Sequence, residues 1–170
     1  MLTKLDKLAI NVVKLLIEKK SVLSTAESCT GGLISEKITA VSGSSSVFGF
    51  GVCSYANEAK IKLLGVSEEI LSSVGAVSEE TAVAMASGIK RVSGSDFSIS
   101  VTGIAGPTGA VEGKPVGTVY IGIAAPDKTY AKRFLFTGES FPEEESKRSA
   151  IRAEAAYTAL SLIKEEIEEL

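Results

Sequence analysis

Apolar side chains recur at helical spacing at the start of the chain (Leu5, Leu8, Val12, Leu15, Leu16), and Thr3 precedes them. The spacing predicts an amphipathic helix over residues 3–19 with Thr3 as its cap. A short β-prone run, Val22 to Ala26, follows and is broken by Thr30-Gly31-Gly32, after which 33–40 returns to helical spacing. Val41 to Ser46 is a Gly/Ser-rich loop, and Val47 to Tyr55 reads as a strand in spite of Gly49 and Gly51. Asn57 is placed to cap a helix through Leu64, and Ser67 and Ser78 are placed to cap two more, the second running to about Val92. Asp96 to Thr102 alternates as a strand does. Val116–Ala124 and Thr129–Phe136 flank Pro126-Asp127-Lys128 and predict a hairpin, and 142–168 reads as a long helix with an acidic end.

Helices and strands are therefore mixed, and the chain ends in an antiparallel pair before its last helix. This predicts an α/β fold, a three-layer α/β/α sandwich with a mixed β-sheet. A chain of 170 residues fits one domain at roughly 150 residues per domain, so residues 1–170 are expected to form a single unit.

Composition narrows the chemistry. The chain has no histidine, so no imidazole acid, base or metal ligand exists in it. Its 2 cysteines exclude a four-thiolate zinc site and a disulfide framework. The net charge of −3 hides an asymmetry: residues 139–170 carry nine acidic and four basic side chains. No basic stripe stands out, Trp is absent and aromatics make up only 6%, which gives no strong signal for nucleic acid. Lys4, Lys7, Lys14, Lys19 and Lys20 interrupt the apolar start, so neither a membrane span nor an export signal is expected there, and the expected location is the cytoplasm with reduced thiols.

Without histidine, a nucleophile needs another base, and Ser with Lys is the most economical pair. Ser28 lies in Thr25–Gly32 (TAESCTGG), where a strand gives way to a helix and backbone N–H groups with Thr30 and Gly31 can meet a ligand. Cys29 beside it, and Cys53 in the next strand, read as structural cysteines. Lys60 stands one turn into the helix after Tyr55; spacing alone makes it a surface lysine, and a base only if desolvation lowers its pKa. The long glycine-rich stretch 103–117, entered from Thr102 through Gly103, Ala105 and Gly106, can present an anion-binding nest. Gly43-Ser44-Ser45-Ser46 is a second source of oxyanion donors. Arg148 and Arg152 share a helix face and can either meet a phosphate or pair with Glu144 and Glu145.

Taken in order, Thr25–Gly32, Gly43-Ser44-Ser45, Tyr55–Lys60 (YANEAK), Gly75–Ser78 (GAVS), Ser100–Pro107 (SVTGIAGP) and Lys114–Val119 (KPVGTV) resemble the CinA C-terminal domain family, the nicotinamide-nucleotide amidases. The resemblance covers about residues 5–163 and implies the family's α/β/α fold. It implies hydrolysis of the carboxamide of nicotinamide mononucleotide, a small-molecule nucleotide substrate, to nicotinate mononucleotide and ammonia. In that mapping Ser28 is the nucleophile, Lys60 the general base and Tyr55 a neighbour able to relay the proton. The amides near Ser44–Ser46 hold the oxyanion, Thr102 and its glycine loop wall the site, and Arg148 or Arg152 meets the phosphate. No metal or organic cofactor is implied, and a homodimer is. Two other readings stay open: an amidase for a different small amide, and a non-catalytic nucleotide- or partner-binding module linked to competence or DNA damage.

The chain departs from the family pattern in two places. Gly109-Ala110 stands where the family usually has Gly-Gly, and 139–147 (ESFPEEESK) reads as an insertion ahead of Arg148. Many family chains also carry an N-terminal pyrophosphatase-like domain, for which this length is expected to leave no room.

Overall fold

The computed structural model describes residues 2–170. Its elements follow the order α1 (Lys4–Lys19), β1 (Leu23–Glu27), α2 (Leu33–Thr39), a short 3-10 turn (Ser44–Ser46), β2 (Phe48–Cys53), α3 (Asn57–Leu64), α4 (Glu68–Ser73), α5 (Glu79–Ser93), β3 (Phe97–Gly103), β4 (Thr118–Ala124), β5 (Thr129–Leu135) and α6 (Lys147–Glu168). Five strands form one sheet in the order β2-β1-β3-β4-β5. The first three are parallel, while β4 and β5 run antiparallel as the expected hairpin. The chain is an α/β protein with a mixed sheet, as its pattern predicts. Among the described residues, no helix is long and apolar enough to cross a membrane.

Helices cover both faces of the sheet. On one side, β1, β3 and β4 send Leu23, Phe97, Ile99, Val101, Val119, Ile121 and Ile123 into the larger core with α1, α2 and α6. On the other, a smaller core of Ala26, Leu64, Val66, Met85 and Ile89 lies under α3 and α5. The serines of β3 face this second side and are fully buried. Ser98 donates to the Ala86 carbonyl at 2.7 Å and Ser100 to the Ala82 carbonyl at 2.6 Å, so α5 lies close against the strand. A Cβ on Gly122 would strike Ser100 Oγ and the Ala82 carbonyl, which is why this face carries small residues.

Thr3 caps α1 as expected, in a reciprocal box with Asp6. Ser67 and Ser78 cap α4 and α5. Two expected helix starts change. Asn57 is the first residue of α3, and its N-cap is Ala56 with no side-chain bond. The last helix begins at Lys147 rather than 142, because Ser146 takes the Ser149 amide as its cap. The preceding turn is held separately: the buried Glu154 carboxylate accepts the Gly138 and Ser140 amides at 2.9 and 2.8 Å.

Candidate functional site

The carboxyl ends of β2, β1 and β3 sit side by side, and there the chain has passed from β1 to β2 on one side and then to β3 on the other. Open α/β sheets bind ligands at such a switch point. A cleft of about 310 Å³ opens at this edge, lined by Ser28, Tyr55, Asn57, Lys60, Thr102 and Arg148 among others. That size is at the small end of the roughly 300–1,000 Å³ typical of small-molecule sites.

Ser28 follows β1 directly, and its amide is tied to the Val101 carbonyl of β3 at 2.9 Å. Two successive turns then lead to α2, with Gly31 N–H on the Ser28 carbonyl and Leu33 N–H on the Thr30 carbonyl. The Cys29 and Thr30 amides donate to no backbone carbonyl among the described residues, as the first amides of a helix do not. The same is true of Ala105 and Gly106, whose residues line the cleft beyond Thr102 and Gly103. Thr102 itself donates to the Ala76 carbonyl at 2.6 Å.

The N-terminus of α2 is not open to a ligand, contrary to expectation. Glu27 is fully buried. Its carboxylate accepts the Gly32, Ile34 and Ser35 amides at 3.0, 3.1 and 2.9 Å, and the Ser35 hydroxyl at 2.7 Å. The positive end of the helix is thereby neutralised from inside the protein. Gly51 makes this possible: a Cβ there would sit 2.7 Å from Ser35 Oγ.

Lys60 is 1% exposed, so it is not the surface lysine that spacing alone suggests. Its Nζ lies 3.2 Å from Ser28 Oγ, 2.7 Å from the Ser54 carbonyl and 3.2 Å from the Tyr55 carbonyl. Burial lowers its pKa below the ordinary value, opposed by the Cys29 thiol next to it. When the amine is neutral, the two carbonyls take both of its hydrogens and its lone pair faces Ser28, whose hydroxyl then donates. When it is protonated, the same three oxygens accept all three hydrogens. The contact is direct, so no relay through Tyr55 is needed. The Tyr55 side chain is mostly exposed, and its hydroxyl accepts from Arg148 Nη2 at 3.1 Å.

Of the residues expected at the site, Ser28, Tyr55, Lys60, Thr102, Gly103, Ala105, Gly106 and Arg148 line the cleft. Ser44, Ser45 and Ser46 do not. They precede Phe48, which pairs with Leu23 at the start of β1, whereas Ser28 lies past its end. A strand of that length separates them by on the order of 15–20 Å. Two of the three amides are also engaged locally, Ser44 N–H on Val41 O and Ser46 N–H on Gly43 O. Thr30 and Gly31 belong to the Ser28 turn but do not line the cleft. Arg152 is likewise turned away and donates to the Cys29 and Thr30 carbonyls at 3.2 and 2.7 Å.

Burial pushes the Cys29 thiol up to about 12, which fits its expected structural role although it touches the cleft. Cys53 is exposed rather than buried, because β2 is an edge strand. Ile104, Thr108 and Gly109 line the cleft as part of the expected glycine loop, whereas Asn57, Ala76 and Val77 are additions to the expected lining. The Gly75–Ser78 motif was the available signal for Ala76 and Val77, and Asn57 was hidden by its helix-cap spacing.

Comparison with known proteins agrees with this architecture. The "Putative competence-damage inducible protein" of Thermoanaerobacter pseudethanolicus is 48% identical over 153 residues, which are 90% of this chain and 35% of that protein. The "CinA-like protein" of Kosmotoga olearia is 50% identical with the same coverage. The chain thus spans about a third of the length of these curated relatives. A crystal structure of a competence-damaged protein (CinA) superfamily protein from Klebsiella pneumoniae superposes with a TM-score of 0.90 at 30% identity, covering 99% of this chain and 100% of that one. The competence/damage inducible protein CihA from Agrobacterium tumefaciens gives 0.87 at 36% identity, covering 96% and 95%. The family model for the CinA C-terminal domain matches residues 5–167, and the chain belongs to that family.

Proposed function

We propose that this chain is an amidohydrolase that converts nicotinamide mononucleotide to nicotinate mononucleotide and ammonia. The observation that carries the reaction class is the buried Lys60 amine 3.2 Å from Ser28 Oγ, at the floor of a cleft. The choice of substrate comes from the family resemblance.

Neutral Lys60 takes the Ser28 proton as Ser28 Oγ attacks the carboxamide carbon. The oxygen of the tetrahedral intermediate is held by the open amides of Cys29 and of Ala105–Gly106, in place of the distant Ser44–Ser46. Protonated Lys60 gives its proton to the departing nitrogen, which leaves as ammonia, and an ester to Ser28 remains. Lys60, neutral again, deprotonates a water that attacks this ester. The C–O bond breaks, nicotinate mononucleotide is released and Ser28 recovers its proton. Arg148, the one guanidinium in the cleft lining, together with the Gly106–Gly109 loop receives the phosphate.

Ammonia release from nicotinamide mononucleotide by the purified protein, with Ser28→Ala as control, tests this. Release that vanishes in the variant is expected. Release that survives the substitution overturns the nucleophile, and a folded protein that releases none overturns the substrate. Calorimetric binding without turnover would then favour a ligand-binding module.

A further inference from the structure

The two arginines that the sequence leaves interchangeable are given different work by the fold. Arg148 and Arg152 are one turn apart on α6, yet only Arg148 reaches the cleft. Arg152 places Nε on the Cys29 carbonyl at 3.2 Å and Nη2 on the Thr30 carbonyl at 2.7 Å. Among the described residues no carboxylate pairs with it. We infer that Arg152 is a positioning residue: it holds the Ser28 turn from behind so that Ser28 and the Cys29 amide keep their places at the cleft, and it does not bind substrate. The inference rests on the Ser28–Lys60 reading above and deepens it.

One planar guanidinium holds the Cys29 and Thr30 carbonyls together, which fixes the peptide units on both sides of Thr30. With Cys29 held in this way, its own amide and the adjoining Ser28 keep their places at the cleft. The fork geometry matters, because the planar guanidinium meets two successive carbonyls at once and a lysine ammonium cannot reproduce that spacing. The fold invests in the same turn from the other side. The Glu27 carboxylate locks Gly32 to Ser35, and Ser28 itself is tied to Val101. Arg152 supplies the restraint for Cys29 and Thr30 between them.

The test compares Arg152→Lys and Arg152→Ala with wild type, using nicotinamide mononucleotide and, separately, the rate at which a fluorophosphonate labels Ser28 by intact mass. Circular dichroism and thermal unfolding report folding. A kcat lower by about 10²–10³-fold, with KM changed less than about threefold, is expected for Arg152→Lys. Partial recovery of Arg152→Ala by added guanidinium ion is expected too, which a fold defect would not show. A raised KM with unchanged kcat would make Arg152 a substrate ligand and overturn the inference, and so would full activity in Arg152→Lys. If wild type does not turn over the nucleotide, the substrate reading fails by itself, and the labelling rate decides the positioning role: slower labelling in Arg152→Lys supports it and equal labelling overturns it. A wild-type Ser28 that neither turns over nor labels sinks both readings together.

Discussion

Lys60 Nζ and Ser28 Oγ meet at 3.2 Å in a buried pocket where the amine's other neighbours are the Ser54 and Tyr55 carbonyls, not a carboxylate. A structural lysine buried at this depth normally has an acidic partner, because an unpaired charge is costly there. The absence of one favours the neutral amine, which is the form a general base needs. Lys60→Met, which keeps the apolar stem, is expected to lower kcat by at least about 10³-fold. The variant is expected to stay folded and to be no less stable near neutral pH. Turnover within tenfold of wild type would remove Lys60 from the mechanism.

The same environment sets the pH dependence. Desolvation lowers the Lys60 pKa below its ordinary 10.5. Because the neutral amine is the active form, kcat/KM is expected to fall about tenfold per pH unit below the folded-state pKa and to level off above it. Stability follows the same sign. The stability linked to neutral Lys60 is fully present above the unfolded value and is lost as pH falls through the folded one. The stability difference between Lys60→Met and wild type is therefore expected to grow as pH is lowered through that window. Denaturant titrations of both proteins at several pH values check this, and a pH-independent difference contradicts it.

The two thiols are expected to separate cleanly. Cys29 sits next to the nucleophile, but burial pushes its pKa up to about 12. Cys53 is exposed on the edge strand. Iodoacetamide at neutral pH is expected to label one thiol in the folded protein and both in denaturant, and Cys29→Ser is expected to keep most of the activity. Loss of all turnover in Cys29→Ser would reopen a thiol mechanism.

Much of this site can be read from residue pattern, and the failures have physical causes. Thr3, Ser67 and Ser78 cap helices where their spacing puts them, since a hydroxyl cap is a local interaction. The β3 alternation was legible as a strand, but alternation ordinarily marks one wet face. Here the polar face is dry, and Ser98, Ser100 and Thr102 each donate to a backbone carbonyl that the fold brings from the far side, in α5 or just before it. Nothing local in DFSISVT reports that. The burial of Lys60 is equally non-local, because its acceptors lie at the end of β2 and its serine past the end of β1. Ser44–Ser46 misled because closeness in a motif list carries no information about which end of a strand a loop occupies. Arg148 and Arg152 differ by one turn, which is enough to move a guanidinium from the cleft to the back of the turn.

Glu27 is expected to be a stability residue. Its carboxylate meets four donors and no competing acceptor. Glu27→Gln keeps the shape but turns an N–H₂ group toward N–H and O–H donors, which leaves part of the cap unsatisfied. A loss of about 2–3 kcal/mol is expected. A lower denaturation midpoint with an unchanged slope would show it. A change under half a kilocalorie would mean that the α2 start reorganises around the amide.

Arg148 bridges the mouth of the cleft, with Nη1 on the Gly106 carbonyl at 2.5 Å and Nη2 on the Tyr55 hydroxyl at 3.1 Å. These are neutral acceptors, so the guanidinium keeps an unneutralised charge in a lining that contains no carboxylate. An anionic substrate group offers a stronger bond than either partner. Arg148→Met is therefore expected to raise KM for the nucleotide roughly tenfold to a hundredfold while kcat changes little, the pattern of lost binding shared by ground and transition states. Tyr55→Phe removes only one of the two neutral anchors and is expected to have a smaller effect on KM. Michaelis kinetics on nicotinamide mononucleotide and on its dephosphorylated riboside separate the cases. Arg148→Met is expected to erase the preference for the phosphorylated form, and a preference that survives would place the phosphate elsewhere in the cleft.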